Sequence, residues 1–80
     1  MPTVLRLLNW RFHFYSDEGM EPPHIHVDTG DGECEYWLEP IRLRLARSRN
    51  INPIELRRIE AAVFEHQNLF KEKWHEFFHH

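Results

Sequence analysis

Eighty residues, 41% hydrophobic, 29% charged and 14% aromatic, with a formal charge of −3, make one small globular domain whose thin core must draw on its rings. The single cysteine, Cys34, cannot close an intramolecular disulfide, and no apolar run approaches the roughly 20 residues that cross a bilayer. The start, "MPTVLRLLNWRF", has none of the marks of a secretion signal, so a cytoplasmic location is expected.

The segments "TVLRLL" and "WRFHFYS" are rich in β-branched and aromatic residues and are parted at Asn9, which tolerates the left-handed backbone of a tight turn. Strands are therefore expected over about 3–8 and 10–16. Alternation puts Trp10, Phe12 and Phe14 on one face and Arg11, His13 and Tyr15 on the other. The polar run "SDEGMEPP" reads as a loop with a stiff proline exit. Strands over 24–29 and 33–39 follow, joined through "TGDG", where Asp31-Gly32 signals a hairpin. Ile25, Val27, Cys34, Tyr36 and Leu38 make the core face. His24, His26, Asp28, Glu33, Glu35 and Trp37 are expected to look outward. Pro40 ends the fourth strand, and "IRLRLA" offers a fifth, edge strand over 41–46.

"NPIELRRIE" carries a helix start, with Asn52 as N-cap, Pro53 in the first helical position and Glu55 three residues after the cap. Leu56, Ile59, Val63, His66, Phe70, Trp74 and Phe77 then recur at steps of three or four, which predicts one stripe on one helix over about 53–78. The expected fold is a single α+β domain over residues 1–80. It has a small antiparallel sheet of four or five strands with one long C-terminal helix packed on one face. Phe64 and Phe78 fall off the stripe and could form an apolar patch for pairing, a homodimer included.

The stretch "EPPHIHV" is the chemically suggestive one. Prolines force extended backbone on their neighbourhood, so His24 and His26 enter the strand side by side, roughly 6.5–7 Å apart at their α carbons. Two imidazoles with a carboxylate could hold a divalent metal such as zinc; Asp28 extends the row, and Glu33 or Glu35 lies across the hairpin. His13 could join from the neighbouring strand. Without an ion, His24 and His26 could transfer protons while Arg42 or Arg44 held a phosphate. The charge is divided along the chain: residues 1–40 carry two basic and eight acidic side chains, residues 41–80 eight basic and five acidic. The loop "ARSRN" presents Arg47 and Arg49 as contacts for a nucleic acid or for acidic neighbours.

Taken together, "MPTVLR", "FYSDEG", "EPPHIHV", "WLEP", "ELRRIE" and "WHEFF" give a chain that resembles the small bacterial proteins of domain-of-unknown-function family 4160. The family pattern has glycines in the first hairpin where this chain has Leu8 and Asn9. The resemblance implies a bacterial cytoplasmic protein with another small protein, encoded nearby, as its partner in a toxin–antitoxin-like arrangement. It also marks Tyr15, Ser16, Glu21, His24 and His26 as positions to test, without assigning any of them a catalytic role.

Two functions are expected from these residues. The favoured one is a small binding or regulatory module that meets a partner protein or nucleic acid through the His24/His26 sheet face, Trp37 and the Arg47/Arg49 loop. The alternative is a small hydrolase that cleaves RNA phosphodiesters with His24 and His26, with or without a divalent metal.

Overall fold

Alternating apolar residues and short polar turns give a meander. The computed structural model describes residues 3–38 and 44–78. Strands β1 (Thr3–Leu7), β2 (Trp10–His13), β3 (His24–Asp28), β4 (Glu33–Trp37) and β5 (Arg44–Arg49) lie side by side in chain order, each antiparallel to the next. Helices α1 (Pro53–Glu65) and α2 (Gln67–Phe78) follow. Among the described residues no helix is long and apolar enough to cross a membrane.

The core is the face that alternation picks out. Phe12, Phe14, Ile25, Val27, Cys34, Tyr36 and Leu38 are buried against Ile59 and Val63 of α1 and Phe70 and Trp74 of α2. Phe12 stacks on Phe70 at 5.3 Å, and Trp74 meets Phe14 edge-on at 5.2 Å. Asn52 caps α1 as expected, its side chain accepting a 2.8 Å hydrogen bond from the Glu55 amide, with Pro53 behind it.

Three expectations need correction. The single long helix is two, parted at His66, whose backbone (φ −104°, ψ 13°) leaves helical geometry. A straight helix over 53–78 would run about 39 Å at 1.5 Å per residue, past the 34 Å longest dimension of the molecule. The break lets both buried stripes stay on the sheet. Second, Arg47 and Arg49 belong not to a loop but to the edge strand, where they face Glu35 and Glu33 across the ladder as opposite-charge pairs. The part of the proposed edge strand over 41–43, with Arg42, lies outside the described residues.

Third, the left-handed residue of the Leu8–Asn9 turn is Leu8, not Asn9. Leu8 takes φ 55° and is 79% exposed, so a bulky side chain with no packing role sits where the turn wants glycine. Leu8→Gly relieves about 1–2 kcal/mol of left-handed strain and gives back about 0.5–1 kcal/mol in chain entropy. Equilibrium denaturation is therefore expected to show a net gain of about 0–1.5 kcal/mol. A lower midpoint would mean that Leu8 is not strained.

Candidate metal centre

The second face of the sheet is where the sequence reading and the structure part most. It is not an open surface. His13 and His24 are fully buried and His26 is 6% exposed, so the expectation of outward-looking imidazoles is overturned. Their shared orientation holds, since the His24 and His26 rings lie 5.2 Å apart on the same strand. What covers them is the polar connection between β2 and β3. The chain leaves the ladder after His13 and turns back, with the Glu18 amide donating to the Tyr15 carbonyl at 3.3 Å and the Glu21 amide to the Glu18 carbonyl at 3.0 Å. That turn lays Glu18 over the histidines and sets the Tyr15 ring edge-on to His26 at 4.5 Å.

Glu18 Oε1 lies 2.9 Å from Nε2 of His24 and 2.9 Å from Nε2 of His26. Glu35 completes the group from β4, with Oε2 3.5 Å from His24 Nε2 and Oε1 receiving a 3.1 Å hydrogen bond from Arg47 Nε. One donor atom from each of Glu18, His24, His26 and Glu35 falls within 4.8 Å of all the others.

The prolines explain how His24 is presented. The Pro23 carbonyl extends the ladder by accepting from the Leu38 amide at 2.9 Å, and the Pro22 carbonyl is 2.8 Å from His24 Nδ1. A carbonyl can only accept, so Nδ1 carries a proton and Nε2 is the ring nitrogen that faces the cluster. That Nε2 makes no hydrogen bond, because Glu18 lies close but off the axis. A buried Nε2 this close to a carboxylate oxygen calls for a proton or a metal cation between them. The Trp37 and Trp74 rings, 5.2 and 4.9 Å from His24, close the site on both sides.

Burial lifts the Glu18 carboxyl, but the imidazoles of His24 and His26 pull it further down, and it ends below the usual range. Burial drives the His13 imidazole below its ordinary value, aided by Arg11 and His26 and opposed by Asp28, so the ring is neutral near pH 7. His13 lies 5.5 Å from His26 in a near-parallel stack. In metal-free protein, stability is expected to be full above about pH 6.5 and to fall as the pH drops through the lowered pKa of His13. The unfolded imidazole takes up a proton that the buried one refuses. Glu18 adds a second, more acidic loss, because its paired carboxylate is protonated only below the unfolded carboxyl range. Urea unfolding at a series of pH values tests this, and His13→Phe should flatten the upper limb. A wild-type slope in that variant would assign the limb elsewhere.

The other expected site residues divide clearly. Asp28 is not in the cluster; it binds Arg11 at 3.1 Å and lies 3.2 Å from His13 Nε2, so the proposed His24–His26–Asp28 triad is replaced by Glu18, His24, His26 and Glu35. Glu21 stands at the rim, 3.8 Å from His24 Nε2 and half exposed. Tyr15 and Trp37 wall the site through ring contacts, whereas Ser16 is exposed on the loop and makes no hydrogen bond among the described residues. Arg44 is exposed opposite Trp37, and Arg49 reaches Glu33 at 3.4 Å. Arg42 lies outside the described residues. Cys34 supplies no ligand: burial first, then the charges of Glu55, Asp28 and Glu33, push its thiol up to about 12.

The model of a domain of unknown function (DUF4160) matches residues 9–75. No curated protein and no solved structure matches the chain.

Proposed function

Given that the chain belongs to domain-of-unknown-function family 4160, we propose, from the site alone, that the domain binds one divalent transition-metal ion and is a small metal-dependent hydrolase. The carrying observation is the placement of both Nε2 atoms 2.9 Å from one Glu18 oxygen in a buried cluster. Two imidazoles and a carboxylate suit zinc, iron or manganese, and the absence of a thiolate from the group weighs against soft ions. Ligand atoms about 2.1 Å from a tetrahedral ion stand about 3.4 Å apart, so Glu18, on a loop, would retreat by about half an ångström on loading.

His24, His26 and Glu18 would hold the ion, and the Nδ1–Pro22 hydrogen bond would keep His24 in the binding tautomer. A bound divalent ion lowers the pKa of its water to about 7. Glu35, tethered by Arg47 through Oε1 and with Oε2 3.5 Å from His24 Nε2, would take the proton from that water. Burial also bears on the competing reading. Imidazoles with almost no exposed area make poor contacts for a partner, which weighs against docking through His24 and His26 themselves.

A second reading survives on one observation: every residue of β5 is exposed along an open sheet edge. A partner protein or nucleic acid, including a toxin–antitoxin-like mate, would meet Arg44, Arg47 and Arg49 there. Its discriminator is co-purification that is lost on charge reversal at Arg47 and Arg49.

The test of the metal centre is elemental analysis of protein purified without a polyhistidine tag, combined with thermal unfolding in zinc, manganese and iron(II). One ion per chain and a raised melting temperature are expected, both lost in His24→Ala and in Glu18→Gln. No stoichiometric ion, with a melting temperature indifferent to all three metals, would sink the proposal.

A further inference from the structure

Beside the cluster, a cavity of about 260 Å³ is lined by His26, Glu35, Arg47, Ser48 and Arg49 among others. It lies along the paired segment Glu33–Glu35 and Arg47–Arg49, next to the β4–β5 register shift between Glu35 and Tyr36 and beside His26. We infer that this cavity receives the phosphate group of the substrate, and that the bond hydrolysed is a phosphate ester. The inference rests on the metal-centre reading above and adds the substrate class to it.

The lining carries two guanidinium groups and two carboxylates, Glu33 and Glu35, so the attraction for an anion rests on the guanidinium nitrogens that the carboxylates leave unused. Arg47 spends only its Nε on Glu35, and its terminal nitrogens have no partner among the described residues, while its side chain is 74% exposed. Arg49 reaches one oxygen of Glu33 through two long contacts of 3.4 Å, a geometry that a better acceptor would displace. Two guanidinium forks on alternate positions of one strand share a face and can bracket a tetrahedral anion. The cavity admits one phosphate with its near substituents and no duplex. The same opening leads to His26 and Glu35, which places the phosphorus beside the atoms that would activate water. In the step, the water oxygen bonds to phosphorus and the P–O bond to the alcohol breaks. The water proton passes by way of Glu35 to the departing oxygen, with no oxidant or further reactant needed. The plainer account is that Arg47 and Arg49 only neutralise Glu33 and Glu35 and guard a sheet edge; it predicts no phosphate affinity.

The experiment uses the whole chain loaded with cobalt(II), whose visible bands report the coordination sphere. Inorganic phosphate is expected to shift those bands, and the Arg47→Gln/Arg49→Gln double variant to weaken its binding on the order of tenfold or more at saturating cobalt. Release of nitrophenol from p-nitrophenyl phosphate or from bis(p-nitrophenyl) phosphate is expected and tells monoester from diester. A 5′-phosphorylated single-stranded RNA set against its dephosphorylated form tells a nucleic-acid source from a small ester. Cobalt bound one per chain with no response to phosphate overturns the phosphate pocket and leaves the metal centre standing. Phosphate binding without turnover of either ester or of RNA overturns the hydrolytic step. Failure to bind cobalt overturns both.

Discussion

Trp74→Ala is expected to lower the unfolding free energy by about 3–5 kcal/mol, against the roughly 4–12 kcal/mol that stabilises a domain of this size. Trp74 is almost wholly buried and touches three rings: Phe14 at 5.2 Å, Phe78 at 4.2 Å and His24 at 4.9 Å. Phe70 and Trp74 are the buried residues of α2, so losing the indole removes much of what anchors that helix to the sheet. The walls of the resulting cavity come from three separate places, His24 on β3, Phe14 just past β2 and Phe78 on α2, and the strand side is held by the ladder. Urea titration with a linear fit measures the loss, and a lower slope would show α2 detached before global unfolding. A cost under about 1 kcal/mol would mean that α2 is not docked through Trp74.

The same ring joins the core to the proposed site. His24 is held by the Pro22 carbonyl at Nδ1, by Trp37 edge-on and by the tilted Trp74 ring, so its Nε2 direction depends on packing as well as on the strand. Trp74→Phe keeps most of the apolar volume, and its folded population should remain high. Its zinc affinity is nonetheless expected to drop about tenfold. If the phenylalanine variant binds zinc as the wild type does, the prolines and the strand alone orient His24.

The fold was largely legible because period-two alternation and helix capping are local signals. Phe12, Ile25, Val27, Tyr36, Ile59, Val63, Phe70 and Trp74 were all assigned to the core by spacing, and all are buried. The helix break at His66 was not legible, since no proline or glycine marks it. In the site, the common face of His24 and His26 followed from alternation, and Glu35 was within reach as their cross-hairpin neighbour. Glu18 was not. The loop also offers Asp17 and Glu21, and only the backbone turn at Tyr15–Glu18 chooses which carboxylate returns to the sheet. The burial of the second face was missed for the same reason: alternation tells which residues share a face, and a loop folded over that face leaves no periodic trace.

The second large effect belongs to the β3–β4 turn, whose Gly32 packs against the end of β5. Gly32→Ala is expected to cost about 3 kcal/mol, the upper part of the range for overpacking, because what a β carbon meets here is backbone. It would collide with the Arg49 carbonyl oxygen and come within 2.5 Å of the Asn50 carbonyl oxygen. Neither can rotate away, and Asn50 is itself held in a left-handed conformation with its side-chain amide donating to the Asp31 carbonyl. Gly30 is the internal control. Its φ of +95° disfavours alanine, yet a β carbon there meets nothing, so Gly30→Ala should cost only about 1–2 kcal/mol of backbone strain. Relief of the Gly32 clash must push the end of β5 outward, which lengthens the Arg49–Glu33 and Arg47–Glu35 contacts and frees Glu35. Gly32→Ala should therefore lose stability and disturb the metal-bound spectrum together, whereas Gly30→Ala should lose stability alone. Equal costs at the two glycines would show that β5 does not pass as close to Gly32 as its carbonyl groups indicate.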